Sequence, residues 1–215
     1  IKSKGWQGKY QSRSGLPYVP SLDGSNVKLT IDLNYQSILQ EELKKRREET
    51  NSLSAMGVIM NPQTGAILAM ASVPDFDNNY FSKYKINNHH CRAITDQFEP
   101  GSTFKIVAAV AALSEEKISL TEEFNCENGE FEYFNQIVKD HEPYDQLTLP
   151  QIIKHSSNIG IIKIAERLGS KTIHKYAKLF GFGSATNIGI QGETSGSLKP
   201  YKNWSRISVG QISMG

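Results

Sequence analysis

This sequence has little cysteine, no long apolar run and almost no net charge. Its two cysteines, Cys91 and Cys126, are too few for a disulfide scaffold or a zinc module. The longest unbroken apolar run covers only residues 106–113, which is far shorter than a membrane span. Because 24 lysines and arginines stand against 22 acidic residues, the charge of +2 argues against a nucleic-acid partner.

The remaining composition is that of an ordinary globular protein, with 38% hydrophobic and 21% charged residues. A length of 215 residues predicts one large domain, or one domain with an appendage. Glycine and proline are frequent in residues 1–26, which we interpret as a linker before a domain over residues 27–215. The sequence begins at Ile1 rather than Met, so we expect a piece of a longer protein that lacks an N-terminal anchor or signal.

Local patterns predict both helices and strands. Val27–Ile31 alternates like a strand, and Asp32 is placed to cap an amphipathic helix over Leu33–Glu49. Two apolar runs, residues 56–60 and 66–70, flank a five-residue turn and predict a hairpin covered on both faces. Further helices are predicted over residues 102–113, 148–155, 159–168 and 172–180. The pattern indicates the α+β class with an incomplete sheet, because a lone hairpin is only marginally stable.

A serine and a lysine three residues apart open the apolar helix predicted at residues 102–113. Ser102 and Lys105 project from one face of its first turn, where burial and the helix N-terminus both disfavour a charged ammonium. A neutral Lys105 could then take the proton of Ser102 and make that hydroxyl a nucleophile. Of four Ser-x-x-Lys pairs, the other three lie in polar or acidic stretches. The spacing alone favours a plainer alternative, a serine cap beside a lysine whose ammonium reaches solvent.

A second short motif lies between two predicted helices. Ser156-Ser157-Asn158 is the one Ser-x-Asn in the sequence. A hydroxyl there could relay a proton to a leaving group, and an amide could donate to a substrate carbonyl. On its own, the tripeptide is more simply explained as a helix cap.

Metal and disulfide chemistry are not expected. His89, His90 and Cys91 are consecutive, but adjacent histidines point in different directions and no further ligand pair is suitably spaced. Cys91 and Cys126 are expected to be isolated thiols, with a disulfide in an oxidising compartment as the alternative. We therefore predict neither a metal ion nor a cofactor.

The two motifs together resemble a known family. Glu99-Pro100-Gly101-Ser102-Thr103-Phe104-Lys105 and Ser156-Ser157-Asn158 are similar to the first two motifs of penicillin-binding proteins, the serine D,D-transpeptidases of peptidoglycan synthesis. Residues 29–32 with Gln36, residues 65–70 and residues 180–183 resemble the class B, monofunctional branch over roughly residues 27–215. Residues 93–96 and 131–133 are most similar to its cell-division member.

The resemblance implies a fold, an activity and four residue roles. The fold is a penicillin-recognising serine transpeptidase domain, an antiparallel sheet flanked by helices. Ser102 would attack the penultimate D-Ala carbonyl of a stem peptide, with Lys105 as its base. Ser156 would pass the proton to the leaving amine, and Asn158 would bind the amide of the acyl substrate. A β-lactam would form the same ester at Ser102.

The sequence departs from the family pattern in one respect, because the third motif, Lys-Thr/Ser-Gly, is absent. Lys171-Thr172-Ile173 lacks the glycine and lies at a predicted helix start, whereas the family's motif is on a strand that lines the cleft. Loss of one oxyanion donor typically slows acyl transfer by about 10²–10³-fold. We therefore expect the N-terminal part of a transpeptidase domain, C-terminally incomplete and impaired, with an open edge on its hairpin.

Two other functions remain as alternatives. One is a serine β-lactamase or β-lactam sensor of the same fold, although Glu166 is about 12 Å along a helix from Asn158 and is not assigned as a deacylating base. The other is a non-catalytic scaffold. The resemblance implies stem peptides, β-lactams and other cell-wall synthesis or division proteins as partners. It also implies a catalytic domain on the outer side of a bacterial inner membrane, held by an anchor outside this sequence.

Overall fold

Helices and short strands alternate along the chain. The computed structural model describes residues 2–4, 10–12 and 22–215. The helices are α1 (Leu33–Glu49), α2 (Arg92–Thr95), α3 (Lys105–Ser114), α4 (Leu149–His155), α5 (Asn158–Leu179) and α6 (Ser208–Met214). The strands are β1 (Lys2–Lys4), β2 (Tyr10–Ser12), β3 (Ala55–Met60), β4 (Ile67–Val73), β5 (Glu123–Asn125), β6 (Glu130–Tyr133), β7 (Gln136–Lys139) and β8 (Gln146–Thr148). The α+β class predicted from the sequence is confirmed.

The predicted linker, residues 1–26, falls mostly outside the described residues. Within it, β1 and β2 form a short antiparallel pair. The linker therefore stays a prediction. Among the residues that the structure describes, no helix is both long and apolar enough to cross a membrane.

Helix α1 begins and ends where the sequence predicts. The Asp32 carboxylate accepts hydrogen bonds from the backbone N–H groups of Asn34 at 2.8 Å and Tyr35 at 3.3 Å. These donors belong to the first helical turn, where the helix itself offers no acceptor. A methyl group added to Gly57 of β3 would lie 2.8 Å from Leu39 Cδ1. The glycine thus allows α1 to pack directly against the strand.

The hairpin β3–β4 is covered on one face and partly open on the other. Gly57 pairs with Ala71 in antiparallel register, so both lie on the face that α1 covers, and Ala71 is buried. Val58, on the opposite face, is 46% exposed, and Met60 beyond a register shift is 53% exposed. The prediction of cover on both faces is therefore wrong for the outward residues of β3.

The outer edge of β4 is occupied by a side chain rather than by a strand. The Gln36 amide donates to the Met70 carbonyl and accepts from the Met70 N–H, both at 2.9 Å. The Asp32 N–H donates to the Leu68 carbonyl at 2.8 Å. Residues 27–31 are not a strand, so that prediction is wrong: they are largely exposed, and none of the described strands pairs with them. In residues 22–215 no strand pairs with the other side of β3, which confirms the expected open edge.

The core lies where α3, α4 and α5 meet. Its buried side chains are mostly alanine and isoleucine, including Ala108, Ala112, Ile152, Ile161 and Ile164. Helix α5 consists of two helical segments that meet at Gly169, whose φ of 76° and ψ of 162° are not helical, so the predicted division into two helices at this glycine is confirmed. Positive φ is a conformation that glycine tolerates. The glycine therefore marks a real break, but the chain resumes its helical course without an intervening loop.

Two antiparallel strand pairs, β5–β8 and β6–β7, were not predicted. Each strand has only three or four residues. Such short segments show too few alternations to be distinguished from loops by sequence pattern. Strand β7 ends at Lys139, and the residue that follows contacts the N-terminus of α5. This pair therefore helps to build the site described below.

Neighbouring isoleucines in α4 provide a test of this core. Ile152 is fully buried, and a methyl group on Gly160 of α5 would lie 2.6 Å from Ile152 Cγ1. We expect Ile152→Ala to lower the free energy of unfolding by about 2–5 kcal/mol, because it leaves a cavity between α4 and α5. Ile153→Ala is the matched control, since Ile153 is 36% exposed and should cost well under about 1 kcal/mol. Urea unfolding of both variants measures the difference; equal losses would contradict this packing.

Candidate active site

Ser102 and Lys105 lie on one turn, one side chain exposed and the other buried. A 3₁₀ turn over Gly101–Phe104 runs directly into α3. Ser102 is exposed, whereas Lys105 is only 2% exposed. Lys105 Nζ lies 3.2 Å from Ser102 Oγ. The predicted pair is therefore within hydrogen-bond distance, with an accessible hydroxyl in front of a buried amine.

The turn that holds Ser102 is fixed from both sides. Gly101 has φ 63°, which permits the sharp approach to the helix. The Thr103 hydroxyl donates to the Pro100 carbonyl at 2.7 Å. Phe104 is buried and packs edge-to-face on Phe182, with ring centroids 4.9 Å apart. These contacts give the Ser102 hydroxyl a defined place at the start of α3.

Ser156 approaches the same amine with two oxygen atoms. It follows α4 in the left-handed conformation, with φ 55° and ψ 38°. That conformation typically costs a residue other than glycine about 1–2 kcal/mol. Its carbonyl oxygen lies 2.5 Å and its hydroxyl oxygen 2.9 Å from Lys105 Nζ. In this left-handed conformation, both the carbonyl oxygen and the hydroxyl oxygen of Ser156 lie within hydrogen-bond distance of Lys105 Nζ.

Asn158, the first residue of α5, completes the cluster. Its side-chain carbonyl accepts a hydrogen bond from Lys105 Nζ at 2.7 Å. Its side-chain NH₂ donates to the Lys139 carbonyl at 3.0 Å. The structure therefore brings all four residues singled out in the sequence, Ser102, Lys105, Ser156 and Asn158, around a single nitrogen.

Burial increases the neutral fraction of the Lys105 amine. Burial lowers the pKa of the Lys105 ammonium from 10.5 to about 8, although the negative charge of Asp140 opposes part of that fall. A neutral amine has two N–H donors and one lone pair. It can therefore donate to the Ser156 and Asn158 carbonyl oxygens while accepting a proton from a serine hydroxyl. A substantial neutral fraction near pH 8 is what a general base requires.

One residue in contact with this cluster was not predicted from the sequence. Asp140 accepts hydrogen bonds from the Ser157 hydroxyl at 2.5 Å and from the backbone N–H of Asn158 at 2.6 Å. It follows β7, a strand that local patterns do not reveal. A lone aspartate in a polar stretch carries no spacing signal, so only the fold shows its proximity to Ser157 and Asn158.

The other candidate residues from the sequence are not among the hydrogen-bond partners of Lys105. Within residues 22–215 and the two short N-terminal strands, no three His, Cys, Asp or Glu side chains converge on a possible metal site. Cys91 and Cys126 are both free thiols. Lys171 and Thr172 lie inside α5, so they are not on a strand. Glu166 lies near Tyr133, where burial and the charge of Glu166 both raise the tyrosine pKa.

Comparison of the sequence with known families and proteins gives consistent matches. Residues 55–215 match the family described as the penicillin binding protein transpeptidase domain. Stage V sporulation protein D of Bacillus subtilis is 32% identical over 97% of this chain. Peptidoglycan D,D-transpeptidase FtsI of Escherichia coli K12 is 32% identical over 88% of it. The chain spans about a third of the length of these relatives, 33% and 32% respectively.

Solved structures give the same picture at the level of the fold. The apo structure of the TP domain from Burkholderia pseudomallei penicillin-binding protein 3 aligns with a TM-score of 0.75 and 29% identity. The alignment covers 87% of this chain and 52% of that one. A peptidoglycan glycosyltransferase from Burkholderia ambifaria gives the same TM-score and identity, with 55% of its chain covered.

Proposed function

The chain belongs to the class B branch of the penicillin-binding protein transpeptidase family, and from that premise we propose that the protein cross-links peptidoglycan as an acyl-serine D,D-transpeptidase. The observation that most supports this activity is the position of Lys105 Nζ, within hydrogen-bond distance of the hydroxyls of Ser102 and Ser156. One buried amine in contact with two hydroxyls provides a path for a proton between nucleophile and leaving group.

In the proposed acylation, Ser102 Oγ attacks the penultimate D-Ala carbonyl of a stem peptide. Its proton goes to the neutral Lys105 amine and then, through the Ser156 hydroxyl, to the amine of the terminal D-Ala. The amide bond breaks, D-Ala leaves, and an ester remains on Ser102. The amine of a neighbouring stem peptide then attacks the ester, giving up its proton as the serine hydroxyl re-forms. Each step leaves the enzyme's protons balanced.

We propose that Asn158 binds the amide of the acyl substrate. Its side-chain NH₂ has two hydrogens, and one donates to the Lys139 carbonyl. The other hydrogen is the donor we assign to a substrate carbonyl. The Asn158 carbonyl oxygen meanwhile holds Lys105. In this assignment the same side chain orients both the base and the substrate.

We further propose that residues 27–215 are the N-terminal part of the transpeptidase domain and that residues 1–26 precede it as a linker. The curated relatives are about three times as long as this chain, and the sequence contains no Lys-Thr/Ser-Gly motif. In this proposal, the cation for the substrate carboxylate and one oxyanion donor come from residues outside the printed sequence. The expected impairment of the chain alone follows from their absence.

The proposal extends to ligands, partners and location. Stem peptides are the substrates, and β-lactams acylate Ser102 because their strained amide mimics D-Ala-D-Ala. The catalytic domain works on the outer side of the bacterial inner membrane, anchored by a segment beyond this sequence and in contact with other cell-wall synthesis proteins. The cell-division type is favoured by residues 93–96 and 131–133, which resemble that member of the branch.

The test is the intact mass of the protein before and after incubation with benzylpenicillin. We expect a stable increase equal to one penicillin molecule, formed slowly on this chain and faster on a longer form that includes a Lys-Thr/Ser-Gly segment. Rapid antibiotic turnover without a lasting adduct would favour a β-lactamase. If neither form acquires an adduct, the scaffold function is favoured and the transpeptidase proposal is wrong.

A further inference from the structure

Asp140 is a charged residue beside the cluster, and the proposed reaction assigns it no role. We propose that Asp140 is a positioning residue, which fixes the Ser156–Asn158 segment against Lys105 and supplies the counter-charge for that amine. This inference rests on the proposed function for its kinetic consequence, whereas its structural consequence can be measured without any reaction.

Both carboxylate oxygens of Asp140 are hydrogen-bonded to the start of α5. Asp140 Oδ1 accepts the backbone N–H groups of Asn158 at 2.6 Å and Ile159 at 3.1 Å. Asp140 Oδ2 accepts the hydroxyl of Ser157, which is 1% exposed, at 2.5 Å. Hydrogen bonds to an ionised carboxylate are about twice as strong as those between neutral groups. A single side chain therefore satisfies three consecutive residues at the point where α5 begins.

The attachment to Asp140 also orients the Asn158 side chain. The preceding residue, Lys139, uses its carbonyl to hold the Asn158 side-chain NH₂ at 3.0 Å. Asp140 thus binds the backbone N–H of Asn158, and Lys139 binds the Asn158 side chain. The free end of the amide, its carbonyl oxygen, is then directed at Lys105 Nζ at 2.7 Å. Release of Asp140 would loosen the residue that contacts the base.

The Asp140 carboxylate also acts on Lys105 through its negative charge. Asp140 is the charged group that raises the pKa of Lys105 against the lowering effect of burial. Cys126 and Tyr144 are the other titratable groups whose pKa Asp140 raises. Nearby cations are already paired, because Lys139 contacts Glu130 and Lys163 contacts Glu127. Among the groups whose pKa Asp140 raises, Lys105 is the cation, so it is the one whose charged form the Asp140 carboxylate stabilises.

The chain offers a matched control for a purely structural cap. Asp32 also accepts two backbone N–H groups at a helix start, those of Asn34 and Tyr35, at 2.8 and 3.3 Å. It precedes α1 as its N-cap, and none of its hydrogen bonds involves Lys105. Asp32→Asn and Asp140→Asn both neutralise a capping carboxylate while keeping an acceptor oxygen. A difference between them in the properties of Lys105 therefore separates positioning from ordinary helix capping.

The experiment is an NMR titration of the ¹³Cε signal of Lys105, assigned by its loss in Lys105→Arg. We expect Asp140→Asn to shift the titration to lower pH, and Asp32→Asn to leave it where it is in the wild type. With fluorescent penicillin, Asp140→Asn should acylate about 10²-fold more slowly, as expected when a contact at the reacting centre is misplaced. The rise of its rate with pH should begin at a lower pH, and Asp140→Glu should restore part of the rate.

Three other outcomes of this experiment would each contradict either the positioning role of Asp140 or the proposed reaction. If folded Asp140→Asn titrates and acylates like the wild type, the positioning role is wrong. If Asp32→Asn shifts Lys105 equally, the effect is general stability and the positioning role is again wrong. If the wild type is never acylated but the titration shift is confined to Asp140→Asn, the positioning role is supported and the transpeptidase proposal fails.

Discussion

Ser102→Ala should leave the protein with no covalent benzylpenicillin adduct, whereas Ser156→Ala should retain an adduct that forms more slowly. Both hydroxyls lie within hydrogen-bond distance of Lys105 Nζ, at 3.2 Å for Ser102 and 2.9 Å for Ser156. Proximity to the base therefore does not decide which is the nucleophile. The accessibility of the hydroxyl to a substrate decides it, because Ser102 is exposed and Ser156 is half-buried. Intact mass and peptide mapping of the labelled protein distinguish the two.

A control outside the site comes from the same helix. Ser114 and Lys117 repeat the Ser-x-x-Lys spacing at the end of α3, and both are exposed. Ser114→Ala should be labelled at the wild-type rate, because Ser114 takes part in none of the hydrogen bonds of Lys105. An adduct that survives in Ser102→Ala and maps to Ser156 would reverse the assigned roles of the two serines.

Lys105→Met should slow acylation by about 10²–10⁴-fold, the usual contribution of a positioned general base. Methionine has a similar length and suits a buried position, so we expect the variant to fold. Loss of the amine leaves Ser102 without a proton acceptor at 3.2 Å. The rate of labelling with fluorescent penicillin, measured at saturating concentration, gives the size of the effect. Lys117→Met is the matched control and should change little.

The same variant should lose the pH dependence of the wild type. Burial lowers the pKa of Lys105 to about 8, so the amine is mostly protonated below that pH and mostly neutral above it. Because only the neutral form can accept a proton, the wild-type rate should rise about tenfold per pH unit below the pKa and level off above it. Lys105→Met should show no such rise. A rise that persists in Lys105→Met would identify another group as the base.

Strong local signals explain what the sequence alone predicts correctly. Helix α1 follows from Asp32 as its cap and an apolar stripe, and α4 from a Thr148–Gln151 capping box that the structure contains. The four residues grouped around Lys105 Nζ come from two short motifs, and their catalytic roles stay a prediction. In each case the residues that make the feature are close together in the chain.

Predictions from the sequence fail where the residues that contact each other are distant in the chain. Asp140 contacts Ser157 and Asn158 only because β6–β7 brings it there, and strands of four residues have no distinctive pattern. Residues 27–31 alternate like a strand, but the edge they run beside is already occupied by Gln36. Side-chain interactions of that kind compete with strand pairing in a way that no local propensity records.

The Gln36 amide has a consequence for how this protein meets other chains. By imitating the peptide group of a neighbouring strand at Met70, it removes from one border of the hairpin the free donor and acceptor that a foreign strand would need. A further strand can therefore pair with this hairpin only along the free edge of β3. Within this hairpin, strand pairing can therefore join two molecules only at β3, which allows pairs of molecules but no indefinitely growing fibre.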